Sequence, residues 1–121
     1  MAHFRKTMSA TTLLNDKVVN KRGDNLGKID EIMLDVVSGK IAYLVLSFGG
    51  ILGLGDKLFA IPFEKFEVDE DHKQFVLDVE QSSLEDAPGF DKNNWPDFGD
   101  MKWNEEIFTF YNSTPYWEET L

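Results

Sequence analysis

A chain of 121 residues is long enough for one domain with its own core and too short for two ordinary ones. Its 42% hydrophobic and 13% aromatic content excludes wholesale disorder, and the absence of cysteine excludes disulfides, thiolate metal sites and cysteine nucleophiles together. The net charge of −10 is unevenly placed, with six Lys/Arg against two Asp in residues 1–28 and six against twenty acids in residues 29–121, so general nucleic-acid binding is disfavoured.

Residues 1–12 carry no apolar period and read as a mobile N-terminal arm. Met1 to Met8 has no apolar run after its charges, so it is not a signal peptide, and no stretch of the chain approaches the roughly 18 apolar residues of a membrane span. A soluble, cytoplasmic protein in a reducing compartment is the expectation. The basic group Lys17, Lys21, Arg22 and Lys28 reads as solvated side chains on strand ends and turns, with local RNA contact as the alternative.

From Leu13 the pattern changes to short strand-like runs. They are separated by turn signals at Asn20–Asn25, Val37–Gly39, the glycine stretch after Phe48, and Asp69–His72. That spacing predicts a small antiparallel barrel or sandwich. The second strand runs from Leu26 to Val36, where Ile32, Leu34 and Val36 share a face and Ile29 belongs to the other phase; a bulge near Asp30-Glu31 reconciles them. Between Lys40 and Phe48 both alternating sets are apolar, Ile41, Tyr43, Val45 and Ala42, Leu44, Leu46, Phe48, so this strand is central and covered on both sides. Leu58–Phe63, Phe66–Asp69 and Gln74–Val79 complete the set, with Pro62 marking a strand end or an edge.

The glycine stretch SFGGILGLGDKLFAIPF, residues 47–63, is tested for a phosphate cradle and fails. Gly50 and Gly55 have P-loop spacing, but Asp56 stands where the lysine belongs; Gly53-Leu54-Gly55 is followed by Leu58 where a dinucleotide fingerprint needs glycine. Both motifs also need a helix next, and Lys57–Phe63 reads as strand. The glycines instead let the chain turn. Ile51, Leu52 and Leu54 are too apolar for a plain solvent loop, so they either plug the barrel or meet another subunit, and both readings stay open.

Two histidines, His3 and His72, cannot assemble a zinc site, and His72 reads as a hairpin-turn residue. The acidic turn from Asp69 resembles the start of a calcium loop, but Lys73 and Gln74 occupy the third-ligand and glycine positions. No nucleophile motif is present, and the 22 carboxylates mostly alternate with apolar residues, as solvated groups do. Neither a catalytic residue, a cofactor, a metal nor a small-molecule substrate is indicated.

Beyond Glu80, Ser82–Asp86 can form one serine-capped helical turn ended by Pro88-Gly89. Nine of the sixteen aromatic residues lie between Phe90 and Trp117, a density that demands burial. After an Asp100 cap, Trp103, Ile107, Phe110 and Tyr111 build one apolar helix face, predicted to lie on the barrel; a strand over Ile107–Tyr111 is the weaker option. Tyr116 and Trp117 must likewise find an apolar surface, their own or a partner's. The organisation expected is an arm at 1–12, a barrel at 13–81 and an extension at 82–121 that packs on it.

Three segments, Asp24-Asn25-Leu26-Gly27-Lys28-Ile29-Asp30-Glu31-Ile32, Ser38-Gly39-Lys40-Ile41-Ala42-Tyr43-Leu44-Val45 and Leu52-Gly53-Leu54-Gly55-Asp56-Lys57-Leu58-Phe59-Ala60-Ile61-Pro62-Phe63, look like successive parts of a PRC-barrel domain. The similarity spans about residues 12–81. Ala87–Asp91, Asn94–Asp97 and Pro115–Trp117 are similar to the tail of stand-alone prokaryotic members. The resemblance implies an all-β fold, a small barrel of about six antiparallel strands with a short C-terminal helical extension. Relatives of this kind include the cytoplasmic domain of the photosynthetic reaction-centre H subunit and a maturation factor of the small ribosomal subunit. This sequence lacks the membrane helix of the first and the RNA-processing domain of the second. What both share is docking to larger assemblies. The expectation is therefore a non-catalytic, homodimeric binding module with itself and an unidentified protein as partners, meeting them through Ile51, Leu52, Leu54, Tyr116 and Trp117. An accessory role in RNA or ribosome metabolism and a role in electron transport are the alternatives.

Overall fold

The computed structural model describes residues 7–49 and 56–118. Seven strands are present among them: β1 (Lys17–Val19), β2 (Asn25–Leu34), β3 (Ile41–Gly49), β4 (Asp56–Pro62), β5 (Phe66–Asp69), β6 (Gln74–Leu77) and β7 (Phe90–Asp91). Helices α1 (Ala10–Leu13), α2 (Gln81–Glu85) and α3 (Met101–Phe110) and 3-10 turns at Phe63–Lys65 and Tyr116–Glu118 complete the chain. Residues 1–6 of the expected arm lie outside the described residues, and α1 begins within its remainder. No helix among the described residues is long and apolar enough to cross a membrane.

All seven strands form one sheet in the order β5-β6-β1-β2-β3-β4-β7. The all-β class is as expected, but the pairing differs from an all-antiparallel set of six. β1 runs parallel to β6, with Lys17 beside Gln74 and Val18 beside Phe75. The reason is the corner at Phe63–Lys65: it is one turn of 3-10 helix and not a hairpin, so β5 keeps the sense of β4 and the next reversal brings β6 alongside β1 in the same direction. The seventh strand comes from the extension, where Phe90 and Asp91 pair with Leu58 and Lys57 and cover the outer edge of β4.

The same corner dictates curvature. In a flat sheet five strand spacings, about 24 Å, would separate β4 from β5. Only Phe63–Lys65 joins Pro62 to Phe66, and four residues reach at most about 14 Å even when extended. The sheet therefore curls until its two sides approach, although β4 and β5 share no ladder.

Curling gives β3 two covered faces, as its doubly apolar sequence predicts. Ala42, Leu44, Leu46 and Phe48 are buried toward the barrel interior in register with Ile29, Phe59 and Ile61, while Tyr43, Val45 and Ser47 are buried on the other side. β2 reaches this register through a bulge: Ile29 opposes Leu46 and Ile32 opposes Leu44, so Asp30 is the extra residue and the two isoleucines share a face. β2 ends at Leu34, two residues before the expected Val36, because Asp35 captures the following N–H groups in a turn. Similarly β6 stops at Leu77, where Val79 was expected.

The extension lies over the Tyr43 face. Helix α3 starts at Asp100, whose carboxylate accepts from Lys102 N–H at 3.0 Å, and buries Asn104, Ile107, Phe108 and, just beyond it, Tyr111. That stripe at i, i+3, i+4, i+7 corrects the expected face: Phe110 points outward, 43% exposed, and Phe108 takes its place inside. A polar residue inside the stripe is what hides the true face in the sequence. Asn104 is fully used, accepting from the Tyr43 hydroxyl and donating to the carbonyls of Phe98 and Asp100 at 2.9 Å each. The Tyr43 ring meets Phe98, Trp103 and Phe108 at 5.5–5.8 Å between centroids. Helix α2 covers Gln81–Glu85 with Glu80 at its cap position and no side-chain cap, so the expected serine cap is not used.

Two glycines with positive φ make a contrast. Gly27 has φ +130 and a Cβ there would lie 2.1 Å from the Ser47 carbonyl oxygen, whereas Gly39 has φ +81 and open space around it. Gly27→Ala is expected to cost about 3 kcal/mol or more, because strand β3 must move, and Gly39→Ala about 1 kcal/mol from backbone strain alone. Urea melts of the two variants measure this, and equal losses would refute the close approach.

Tyrosine hydroxyls offer a second test. Tyr43 spends its hydroxyl on buried Asn104, while the buried Tyr111 hydroxyl has no partner among the described residues. Tyr43→Phe is expected to lower stability by about 1–2 kcal/mol and Tyr111→Phe to leave it unchanged or raise it. Thermal denaturation followed by circular dichroism separates the two.

Candidate docking surface

The β2–β3 hairpin ends in a four-residue loop, Val36-Val37-Ser38-Gly39, whose polar members all serve the turn. One carboxylate oxygen of Asp35 accepts from Val37 N–H at 2.9 Å and Ser38 N–H at 3.2 Å. Gly39 N–H donates to the Asp35 carbonyl at 2.7 Å, and Asp35 N–H to the Lys40 carbonyl at 2.8 Å. Ser38 Oγ accepts from Lys40 N–H at 3.2 Å. The loop is thus locked by its own side chains. The two valine side chains serve none of this, and the residues stand in solvent, 88% and 95% exposed, next to Leu34 at 59%.

A C-terminal strap braces the hairpin from outside. The Tyr116 hydroxyl donates to the second Asp35 oxygen at 2.8 Å, Lys40 Nζ reaches the Tyr116 carbonyl at 3.4 Å, and the Ser113 hydroxyl bonds Glu64. The Tyr116 hydroxyl bond, then those from the loop N–H groups, holds the Asp35 carboxyl below its ordinary range. Desolvation, then the hydrogen bond to Asp35 and the Asp35 charge, pushes Tyr116 up to about 12. Trp117 and Tyr116 pack on Phe108 at 5.2 and 6.2 Å. These two residues therefore find their apolar surface on their own chain.

Beneath the strap lies an open groove of about 290 Å³. Ile41, Ala42, Pro62, Phe63, Phe108 and Tyr116 give it an apolar lining, and Lys40 and Glu64 put opposite charges on its rim. It begins at the base of the hairpin that carries the valines. Two other concavities, of about 300 and 330 Å³, lie near Asp16 and Lys73 and near Lys65 and Tyr111. Burial raises the Asp16 carboxyl, and burial likewise raises the Tyr43 and Tyr111 hydroxyls. Asp69 is lowered by the Gln74 amide and by His72, both hydrogen-bonded to it within the β5–β6 turn. Asp35 and Tyr116 are thus a bonded pair, Asp16 and Asp69 line one concavity, and Tyr43 and Tyr111 are buried hydroxyls. Among the described residues, no three His, Cys, Asp or Glu side chains converge as a metal set.

Of the residues proposed from sequence for contact, Ile51, Leu52 and Leu54 lie outside the described residues. Tyr116 and Trp117 are half-buried in the strap. The basic group is divided: Lys21 lies 3.8 and 3.9 Å from Glu67 and Asp78, and Arg22 bonds Glu80 and lies 3.9 Å from Asp24. Lys17 and Lys28 face each other across β1 and β2. Sequence reasoning extended β2 through Val36 and began the turn at Val37, so the exposed valine pair went unnoticed as a surface feature. The signal was there in Asp35 and Ser38-Gly39, which are turn residues on either side of two β-branched ones.

A model of the PRC-barrel domain family matches residues 5–84. Among solved structures, the chain is similar to the 16S ribosomal RNA processing protein RimM of Pseudomonas aeruginosa, at 19% identity and a TM-score of 0.42. That likeness covers 62% of this chain and 45% of the other, so this chain spans less than half of that protein's length. No curated protein matches. A match that takes in β1 to β6 and most of α2 settles the family: this chain belongs to the PRC-barrel domain family.

Proposed function

We propose that the protein is a cytoplasmic, non-catalytic assembly module that pairs with a second copy of itself and docks onto a larger complex. Docking proceeds by apolar shape complementarity, and the module makes and breaks no bonds. The observation that carries this reading is the braced hairpin tip: a loop rigidified by five hydrogen bonds of its own exposes two valines to water almost completely. Local turn chemistry favours polar residues there, so a position that breaks the local rule without local gain points to a use elsewhere.

A second reading, an accessory factor in RNA metabolism, rests on Lys17 and Lys28, which are exposed and have no carboxylate partner among the described residues. The ion pairs of Lys21 and Arg22 weaken it, because those side chains would have to leave carboxylates to reach phosphate. Sedimentation velocity is the primary test: the protein is expected to run as a dimer at a loading of about tens of micromolar, the range in which modest interfaces form. Gel shifts with ribosomal RNA at about 50 mM salt test the second reading, and retardation abolished by Lys17→Glu with Lys28→Glu would establish it in place of the first.

A further inference from the structure

We infer that the hairpin tip and the groove beside it are the two halves of one self-association surface, with the Val36-Val37 knob of each copy seated in the Ile41–Phe63–Phe108 groove of the other. This rests on the pairing proposed above and names the surface that performs it. The first argument is position. Knob and groove adjoin: Val37 is three residues from Lys40, which is on the groove rim, and Asp35 is bonded to Tyr116, which forms a groove wall. When a projection and a recess of matching polarity sit side by side, one two-fold rotation fills both recesses at once. A single knob is a small contact; the two-fold doubles it.

The second argument is charge. At a net charge of −10 two copies repel over most of their surface. The extension is the extreme case, with nine acids against two lysines between Glu80 and Glu118. Around the hairpin the balance is different. The Asp35 carboxylate is already occupied by the loop N–H groups and Tyr116, and the groove rim carries Lys40 and Glu64 with opposite signs. Because the rim carries both signs, a two-fold can be placed so that the Lys40 side of one copy meets the Glu64 side of the other. An acidic protein can thus meet its own copy at this patch without like charges opposing.

The third argument is rigidity. Ordering a floppy loop on association costs affinity, and this loop is ordered beforehand by Asp35, Ser38 and the strap.

Sedimentation velocity on the full chain and on the double variant Val36→Asp/Val37→Asp tests the inference. Both positions are nearly fully exposed, so the fold is expected to survive, and unchanged circular dichroism melts verify that. The parent is expected to dimerise and the variant to be monomeric, with the dissociation constant raised at least about 100-fold, as for loss of a central contact replaced by buried charge. A dimer that persists in the variant overturns this surface and leaves the pairing intact; a monomeric parent overturns the pairing itself. The absence of native cysteine permits a second measurement. Val37→Cys protein mixed with Thr114→Cys protein and treated with a short bismaleimide is expected to give a covalent dimer on a denaturing gel. Failure to form that product overturns the knob-in-groove arrangement.

Discussion

The 3-10 corner at Phe63–Lys65 governs the rest of this molecule. Because three residues must bridge strands that the ladder order places at opposite sides, the sheet has no flat alternative. Curvature encloses Phe59, Ile61, Phe75 and Leu77 in an interior, and it fixes the sense of β5 and β6 so that β6 meets β1 in parallel. It also leaves β4 with an unpaired outer edge, since the chain turns away from it at Pro62. Proline at that point is consistent with the departure, as it has no N–H to give to a continuing ladder. Short β7 then occupies the edge, which would otherwise be open to another chain.

A second layer follows from the first. Curling directs one face of β3 inward, yet the opposite face, Tyr43 and Val45, is as apolar as the interior one. A sheet greasy on both sides needs cover on both sides. The extension supplies it with an aromatic cluster and a buried polar hub, Asn104, which accepts from Tyr43 on β3 and donates to the Phe98 and Asp100 carbonyls at the start of α3, so that one side chain ties the helix both to the sheet and to its own approach. Aromatic side chains suit this task because they bury much area while adopting few rotamers. The strap then ends at the hairpin, so the outer layer and the docking tip are mechanically joined through Tyr116 and Asp35.

Much of this was legible in the sequence, and the reasons are specific. The two-sided apolar alternation of residues 41–48 marked β3 as central, the phase conflict between Ile29 and Ile32 located the bulge, and Asp100 announced the start of α3. What was not legible depends on tertiary context. Strand direction is not encoded in alternation, so the parallel β1–β6 pair required knowledge of the corner. The buried stripe of α3 was misread by one aromatic because asparagine at 104 looks like a surface residue until Tyr43 is placed opposite it. Val36 looked like strand because β-branched residues favour strands, while Val37–Gly39 read as the turn. The side-chain bonds of Asp35 show that the turn begins before Val36, so both valines crown it.

The outer layer also bears on where this protein can be divided. The family match stops at residue 84, ahead of β7, α3 and the strap. A boundary drawn there runs through the middle of a shared core and not between two units. A fragment trimmed to it would leave a bare oily flank and an unguarded rim, so the stretch matched by the family and the packed unit differ in extent.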